Sequence, residues 1–302
     1  MHAEPSRLVL APAEAEADLE ALIAVRELVH PDVRPTVETL LFNLRSKEGL
    51  VYLVGRMDGE PVACGFVEPW AELAAADVAV VPAHRRHGIG SAVLAEVRRR
   101  ARALGKDRVQ VEVRESEPAS LQFVERRGFT RVGGEQAVQL DLTAFDAPAI
   151  DPPPGVRIAS RVEEPDRLRE MYAIALQADE DIPGSAGVQT FEQWRAHEID
   201  KPVRRPELCF LALAGDEVVG YAALQAYGDE AHHGLTTTRR DWRRRGVASA
   251  LKRAEIAAAK QAGFRRLVTE SEERNEPMRR LNEKLGFVPY PELSVAVMSG
   301  PA

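Results

Sequence analysis

The sequence predicts two tandem copies of a mixed α/β domain, and three observations carry that prediction. The chain is 302 residues long, about twice the length of an average domain. A proline-rich segment, Ala147-Pro148-Ala149-Ile150-Asp151-Pro152-Pro153-Pro154-Gly155, falls at mid-chain, and its prolines remove backbone donors and hold the chain extended. The first half also aligns with the second. Arg85, Arg86, Gly88, Ser91 and Ala92 meet Arg243, Arg244, Gly246, Ser249 and Ala250, and the match runs without a gap to Glu125, Gly128 and Phe129 on Glu283, Gly286 and Phe287. Self-similarity at one fixed offset marks a duplicated unit. The expected layout is a domain over 1–146, a linker over 147–155 and a domain over 156–302.

Each copy can be read from its hydrophobic period. In the first, Arg7 to Leu10 is a short strand, followed by helices over Glu14 to Leu28 and Thr36 to Arg45. Leu50 to Arg56 and Pro61 to Val67 are hairpin arms, because Asp58-Gly59 between them supplies the positive φ of a tight turn. Asp77 to Val81 is the next strand. It leads through a glycine-containing loop into a helix from Ser91 to Leu104, whose Val93, Val97, Ala101 and Leu104 share one face. Gly105 stops that helix. Arg108 to Val113 is a strand, Ala119 to Arg127 a short helix, and Phe129 to Leu142 holds two closing strands. The second copy repeats the order at Val156 to Ala159, Glu164 to Gln177, Phe191 to Glu198, Phe210 to Ala214, Val218 to Gln225, Leu235 to Thr238, Ser249 to Ala262, Arg266 to Thr269, Pro277 to Lys284 and Leu293 to Met298. Strands that alternate with amphipathic helices give each half its mixed α/β class.

Composition narrows the function. With 40 basic and 47 acidic residues the net charge is −7, which argues against a surface built to neutralise nucleic-acid phosphates. The run Arg98-Arg99-Arg100 with Arg102 reads as the solvated face of a helix. Cys64 and Cys209 lie far apart in apolar stretches, so neither a disulfide framework nor a thiolate metal site is expected. His84 and His87 share a loop with no carboxylate at ligand spacing, and no metal site is expected there either. The first residues, Met1-His2-Ala3-Glu4-Pro5, lack a basic and then apolar leader, and no apolar run reaches the roughly 18 residues that cross a bilayer. A soluble, cytoplasmic protein with no membrane and no nucleic-acid partner is the expectation.

The chemistry concentrates in two loops. Arg85-Arg86-His87-Gly88-Ile89-Gly90-Ser91 and Arg243-Arg244-Arg245-Gly246-Val247-Ala248-Ser249 each lie between a strand and an amphipathic helix, and each precedes a Gly-Phe pair at the same spacing. Glycines let the backbone turn tightly, so several N–H groups at a helix N-terminus point into one cavity where the helix dipole favours an anion. Such a loop suits a pyrophosphate. The Gly-Phe pairs read as helix stops followed by a core aromatic.

On these residues the chain resembles the GNAT superfamily of acyl-CoA-dependent acyltransferases, whose members carry an Arg/Gln-x-x-Gly-x-Gly/Ala loop between a strand and a helix. The resemblance covers nearly the whole chain, twice, and the tandem layout is similar to that of mycothiol synthase. It implies in each half a mixed, mostly antiparallel sheet flanked by helices. It also implies acetyl-CoA as cofactor. Val78, Ala79 and Val80, and likewise Thr236, Thr237 and Thr238, would pair with the pantetheine amides. The N–H groups of Arg86 to Ser91 and Arg244 to Ser249 would hold the pyrophosphate. The expected reaction is transfer of an acetyl group to a primary amine of a small molecule.

Departures from the family pattern distinguish the copies. Where many members have a cofactor-contacting Asn, the second copy has Asn275 and the first Glu117. Where many have a Tyr that protonates the departing thiolate, the copies have Asn282 and Val124. Only the second copy keeps the Asn, which favours it for catalysis, and neither side chain at the Tyr position can give a proton. Attack by an amine needs a proton acceptor. His233, beside His232, has the fitting ordinary pKa of about 6.5. Glu270 ends a strand, and Asp181 follows Glu180 in a loop expected to face the acceptor. In the first copy Asp77 and Glu112 occupy analogous strand positions. The alternative is an acyl-CoA-binding pseudoenzyme in which one or both copies are regulatory.

Overall fold

The computed structural model describes residues 7–31, 35–180 and 190–302. Along the chain the first copy forms β1 (Leu8–Pro12), α1 (Glu16–Val29), α2 (Val37–Ser46), β2 (Val51–Met57), β3 (Glu60–Trp70), β4 (Leu73–Val80), α3 (Ile89–Ala103), β5 (Arg108–Arg114), α4 (Pro118–Glu125) and β6 (Thr130–Asp141). The second forms β7 (Val156–Ser160), α5 (Leu168–Asp179), α6 (Phe191–Glu198), β8 (Arg204–Ala214), β9 (Glu217–Tyr227), β10 (Glu230–Thr238), α7 (Val247–Gln261), β11 (Arg266–Glu272), α8 (Glu276–Lys284), β12 (Val288–Pro289) and β13 (Val295–Pro301). Short polar signals set the helix starts. The Thr36 hydroxyl caps α2 by accepting from the Thr39 N–H, and Thr190 and Gln193 form a reciprocal capping box on α6.

Residues fall into two compact units, one of Met1–Val113, Glu117–Val132 and Ala296–Ala302, the other of Arg114–Ser116 and Gly133–Val295. In the first unit the strand order is β1-β2-β3-β4-β5-β13, and in the second it is β6-β11-β10-β9-β8-β7, with β12 against β6. β4 with β5 and β10 with β11 run parallel, while β1 to β4 in the first unit, β7 to β10 in the second, and β6 with β11 and β12 pair antiparallel. Each sheet is covered on both faces. In the first unit Val93, Val97 and Ala101 of α3 pack one face, and Leu19, Leu22 and Leu40 of α1 and α2 the other. In the second, Leu251, Ile256 and Ala259 of α7 cover one face, and Met171, Ile174 and Trp194 of α5 and α6 the other.

The units and the repeats differ in their closing strands. β6, at the end of the first copy, pairs antiparallel with β11 from Arg266↔Asp141 to Glu272↔Glu135 and places Leu140 and Leu142 in the second unit's core. β13, at the end of the second copy, neighbours β5 and places Ala296 and Met298 in the first unit's core. The two strands close equivalent copies of one unit, and exchange of equivalent elements costs little. A direct consequence is that Met298→Ala, although near the C-terminus, lowers the stability of the first unit by roughly 2–4 kcal/mol, the usual cost of a core truncation. Hydrogen exchange should then accelerate in β3 to β5 and not in β8 to β10.

Element edges moved for identifiable reasons. Phe129 to Leu142 holds one strand, β6, where two were expected. α5 begins at Leu168 instead of Glu164, because the Glu163 carboxylate accepts from the N–H and hydroxyl of Ser160 and holds a turn there. β10 begins at Glu230, ahead of Leu235, since pairing with β9 and β11 extends a stretch of weak strand formers. Among the described residues no helix is long and apolar enough to cross a membrane, and no three His, Cys, Asp or Glu side chains cluster as metal ligands would.

Candidate cofactor and catalytic site

The two glycine loops, each a candidate cradle for a pyrophosphate, repeat one geometry closely. A single 3₁₀ turn, Pro82–His84 in the first unit and Arg240–Trp242 in the second, leads from the strand to the loop. Arg86 and Gly88 then take φ of +69° and +83°, and Arg244 and Gly246 take +61° and +93°. Those left-handed residues reverse the chain twice within three positions. They deliver it to the N-terminus of α3 or α7 with Gly88 or Gly246 as the capping residue. The first bond inside each helix is Ala92 N–H to Gly88 carbonyl or Ala250 N–H to Gly246 carbonyl. Ile89, Gly90 and Ser91, and likewise Val247, Ala248 and Ser249, therefore have N–H groups with no partner inside the helix. Neither first turn carries an acidic side chain, so no carboxylate of that turn opposes an anion at the positive end of the dipole. A Cβ on Gly88 or Gly246 would meet nothing within 4 Å, which leaves open space over each cradle.

The first arginine of each motif braces the loop. Arg85 Nε donates to the Val80 carbonyl at 3.1 Å, and Arg243 Nε to the Thr238 carbonyl at 3.2 Å. Other cations stand nearby: Arg127 donates to Ser91 Oγ at 2.6 Å while stacking over Phe123, and Arg245 lies over the Trp242 ring. Arg86, His87 and Arg244 are exposed at the same loops.

Beside each cradle the sheet opens. β4 pairs with β5 only over Ala74–Ala76 with Val109–Val111, and β10 with β11 only over Glu230–His232 with Arg266–Val268. Beyond those pairs no ladder joins the parallel strands, which leaves the edge of Val78, Ala79 and Val80, and likewise of Thr236, Thr237 and Thr238, unpaired on that side as each strand runs on toward its glycine loop. This is the shape an extended polyamide arm needs if its amides are to bond like a strand.

One feature separates the units, and the sequence reading missed it. β4 pairs with β3 in unbroken register from Ala63↔Val80 to Trp70↔Leu73. β10 instead bulges: His233 faces Leu224 and Thr236 faces Ala222, so Gly234 and Leu235 stand opposite Ala223 alone. A bulge frees backbone groups from the ladder and re-aims the side chains after it. Arg204 holds it in place, donating to the Ala223 carbonyl at 2.9 Å and to Glu198 at 2.7 Å. A Cβ on residue 234 would fall on the Arg204 guanidinium, so a larger residue there would displace that side chain from the bulge. The available signal was Gly234 inside a strand pattern.

The candidate proton acceptors do not converge. His233 is fully buried on the α7 face, its Nδ1 2.7 Å from Glu255 Oε2, and burial pushes its pKa down. Glu270 is exposed on β11 opposite Ala137, one residue from buried Thr269, and by strand alternation from the core residue Leu267 it lies on the α5 and α6 face. Its charge is felt by Tyr227, whose hydroxyl bonds Gln225 and whose ring meets His232 edge-on. Glu270 and His232 thus share an open face that His233 does not reach. Asp181 lies outside the described residues; the neighbouring Glu180 pairs with Arg240 at 2.8 Å. Asn275 caps α8, accepting from the Met278 N–H, which leaves its amide nitrogen free of that duty. Its counterpart Glu117 accepts from Ser120 Oγ. In the first unit Asp77 is held by Arg26.

Comparison with known proteins gives the family and the fold. The sequence profile described as acetyltransferase (GNAT) family matches residues 19–129 and 168–287. Among solved structures, a GCN5-related N-acetyltransferase from Sphaerobacter thermophilus superposes with a TM-score of 0.77 at 22% identity, covering 98% of this chain and 96% of that one. A tandem GNAT protein from the clavulanic acid biosynthesis pathway gives 0.78 at 20% identity and 98% of both chains. N-myristoyltransferase of Saccharomyces cerevisiae, with bound myristoyl-CoA, gives 0.71 at 11% identity over 99% of this chain and 79% of that one. At these identities the likeness is one of fold. No curated protein sequence matches the chain.

Proposed function

The chain belongs to the acetyltransferase (GNAT) family and is an acyltransferase, and from that premise we propose that it transfers an acetyl group from acetyl-CoA to a primary amine of a small molecule, with the second unit as the working one. The bulge in β10 carries the reading. It sits where the unpaired edge beside the second cradle begins, and the backbone N–H groups it frees from the ladder are donors for the oxygen of a thioester under attack. Bound acetyl-CoA would supply an activated acyl group. The protein supplies the rest: Val247 to Ser249 N–H groups for the pyrophosphate, the Thr236 to Thr238 edge for the pantetheine arm, and Glu270 on the open face to take the proton of the incoming amine. Asn275, with its amide nitrogen uncommitted, offers a further donor toward the cofactor.

The first unit has the cradle and the unpaired edge without the bulge. We assign it a CoA-binding role without turnover, the part of the alternative reading that this observation favours. Calorimetry should accordingly find two CoA sites per chain, and thiol release over a panel of small primary amines should show one turning over. Binding at both sites with no thiol released by any amine would make the protein a CoA-binding regulator instead.

A further inference from the structure

The duplication provides an internal control for the core of the second unit. Four of its buried side chains are polar where the first unit is apolar. Lys252 and Glu255 stand on α7 where Leu94 and Val97 stand on α3, at the offset that joins the two cradles. Asn282 on α8 matches Val124 on α4: each carbonyl accepts from the N–H of the aromatic five residues later, Phe287 or Phe129. Val111, the partner of Ala76, matches Thr269 at the same offset, and Thr269 follows Val268 as His233 follows His232, the partner of Val268, so His233 takes the place of Ala76. Ala76, Leu94, Val97 and Val124 all belong to one buried core cluster. The fold therefore builds this region without polar groups.

In the second unit those groups are costly. Lys252, Glu255 and Asn282 are each at most 1% exposed, and the His233 side chain is equally enclosed. Both ring nitrogens of His233, both carboxylate oxygens of Glu255 and both amide atoms of Asn282 lack an aligned hydrogen-bond partner. The Lys252 ammonium and the His233 ring both approach the Phe287 ring. Buried ionic groups are often no more stabilising than apolar residues of similar size, and unsatisfied ones call for another explanation. Their position offers one. His233 adjoins the bulge at the inner end of the unpaired β10 edge, while the cradle lies at the outer end beyond Thr238. The five residues from Gly234 to Thr238 span about 15 Å of extended chain, so an arm anchored at the cradle and laid along that edge brings its sulfur to the inner end.

We propose that His233, Lys252, Glu255 and Asn282 form a buried proton-donor site for the sulfur that leaves during acyl transfer. The inference rests on the function proposed above and supplies the proton that neither Asn282 nor a tyrosine can give. As the amine nitrogen bonds to the acyl carbon, the carbon–sulfur bond breaks with its electron pair on sulfur, and that sulfur takes the proton held at Lys252 Nζ, while His233 stays paired with Glu255 through Nδ1. The amine loses its own proton to the base on the opposite face, and solvent returns one to Lys252. Amine and thioester become amide and thiol.

The Glu255 charge opposes the effect of burial on Lys252, and the Nδ1 of His233 lies 2.7 Å from Glu255 Oε2. The titratable groups acting on this site are Lys252, Glu255 and His233, with Cys209 of β8 within reach of the Glu255 charge. The groups that α7 faces on β9, Ala222 and Leu224, are apolar. Burial lowers the Lys252 pKa to about 8, close to that of a thiol, which suits a proton donor to a thiolate.

The test moves the first unit's residues into the second: His233→Ala, Lys252→Leu, Glu255→Val and Asn282→Val together. That variant should fold and bind CoA with wild-type stoichiometry, as its packing is the one the first unit already uses. Its kcat should fall by roughly 10²-fold, the low end of general acid help, with KM for the amine little changed. Wild-type kcat should decline above about pH 8 as Lys252 loses its proton, and the variant should lack that limb. A readout without turnover accompanies these. Since folding depresses the lysine pKa from its ordinary 10.5 to about 8, the unfolded chain binds more protons between those values and stability rises with pH across that window. Wild-type Tm should therefore gain on that of the variant from pH 8 to 10.5. If the wild type releases no thiol, the proposed function fails. If it does, and the four-residue variant keeps the same kcat and pH limb, the proton-donor site is refuted while that function stands.

Discussion

Gly246→Val should abolish the proposed acetyl transfer, lowering turnover by roughly 10³-fold or more, while Gly88→Val should remove one CoA site per chain and leave that transfer intact. Two effects add at Gly246. Its φ of +93° lies in a region that a β-branched residue does not adopt without strain, and the left-handed conformation alone costs about 1–2 kcal/mol. The added side chain also projects into the open space above the cradle, where nothing lies within 4 Å. A pyrophosphate needs close approach to the N–H groups of Val247 to Ser249, and the valine methyls stand in the way. Calorimetry on each variant should show one CoA site where the wild type has two, and thiol release should fall only with Gly246→Val. The reverse pattern would place the working site in the first unit. Loss of both sites in either variant would mean that the cradles do not act separately.

Much of this was legible in the sequence because the signals are local. The two cradles, their strands and their helices follow from the glycine spacing and from an apolar stripe such as Val93, Val97 and Ala101. What was not legible is set by pairing between distant segments. Exchange of β6 and β13 leaves every local pattern intact, since each closing strand has the same apolar alternation whichever sheet receives it. The bulge at Gly234-Leu235 depends on one extra residue against Ala223, and its only local trace is a glycine in a strand. His233 looked like an available base because histidine titrates near neutrality. The structure instead turns it toward α7, where burial lowers its pKa and Glu255 lies beside it. The charges at Lys252 and Glu255 had a signal that went unused: aligned on Leu94 and Val97, they fall on the buried stripe of an amphipathic helix.

Glu270→Gln should lower kcat/KM for the amine by about 10²- to 10⁴-fold, the range in which a positioned base contributes, with CoA affinity at both cradles unchanged. Placement makes the case. Of the acceptors that the sequence offered in the second copy, His233 is enclosed on the α7 face and Asp181 lies outside the described residues. Glu270 is exposed on the other face, next to a strand whose edge toward β11 is unpaired beyond His232. Glutamine keeps the size and hydrogen-bonding reach of the side chain but cannot accept a proton at neutral pH, so a structural role would survive the change and a base would not. Glu270→Asp should retain part of the activity. In Glu270→Ala, added formate should restore part of it by occupying the vacated carboxylate position. The rising acidic limb of the wild-type pH–rate profile should vanish in Glu270→Gln. Activity within tenfold of wild type in Glu270→Gln, with that limb intact, would remove Glu270 as the base and leave His232 on the same face as the next group to replace.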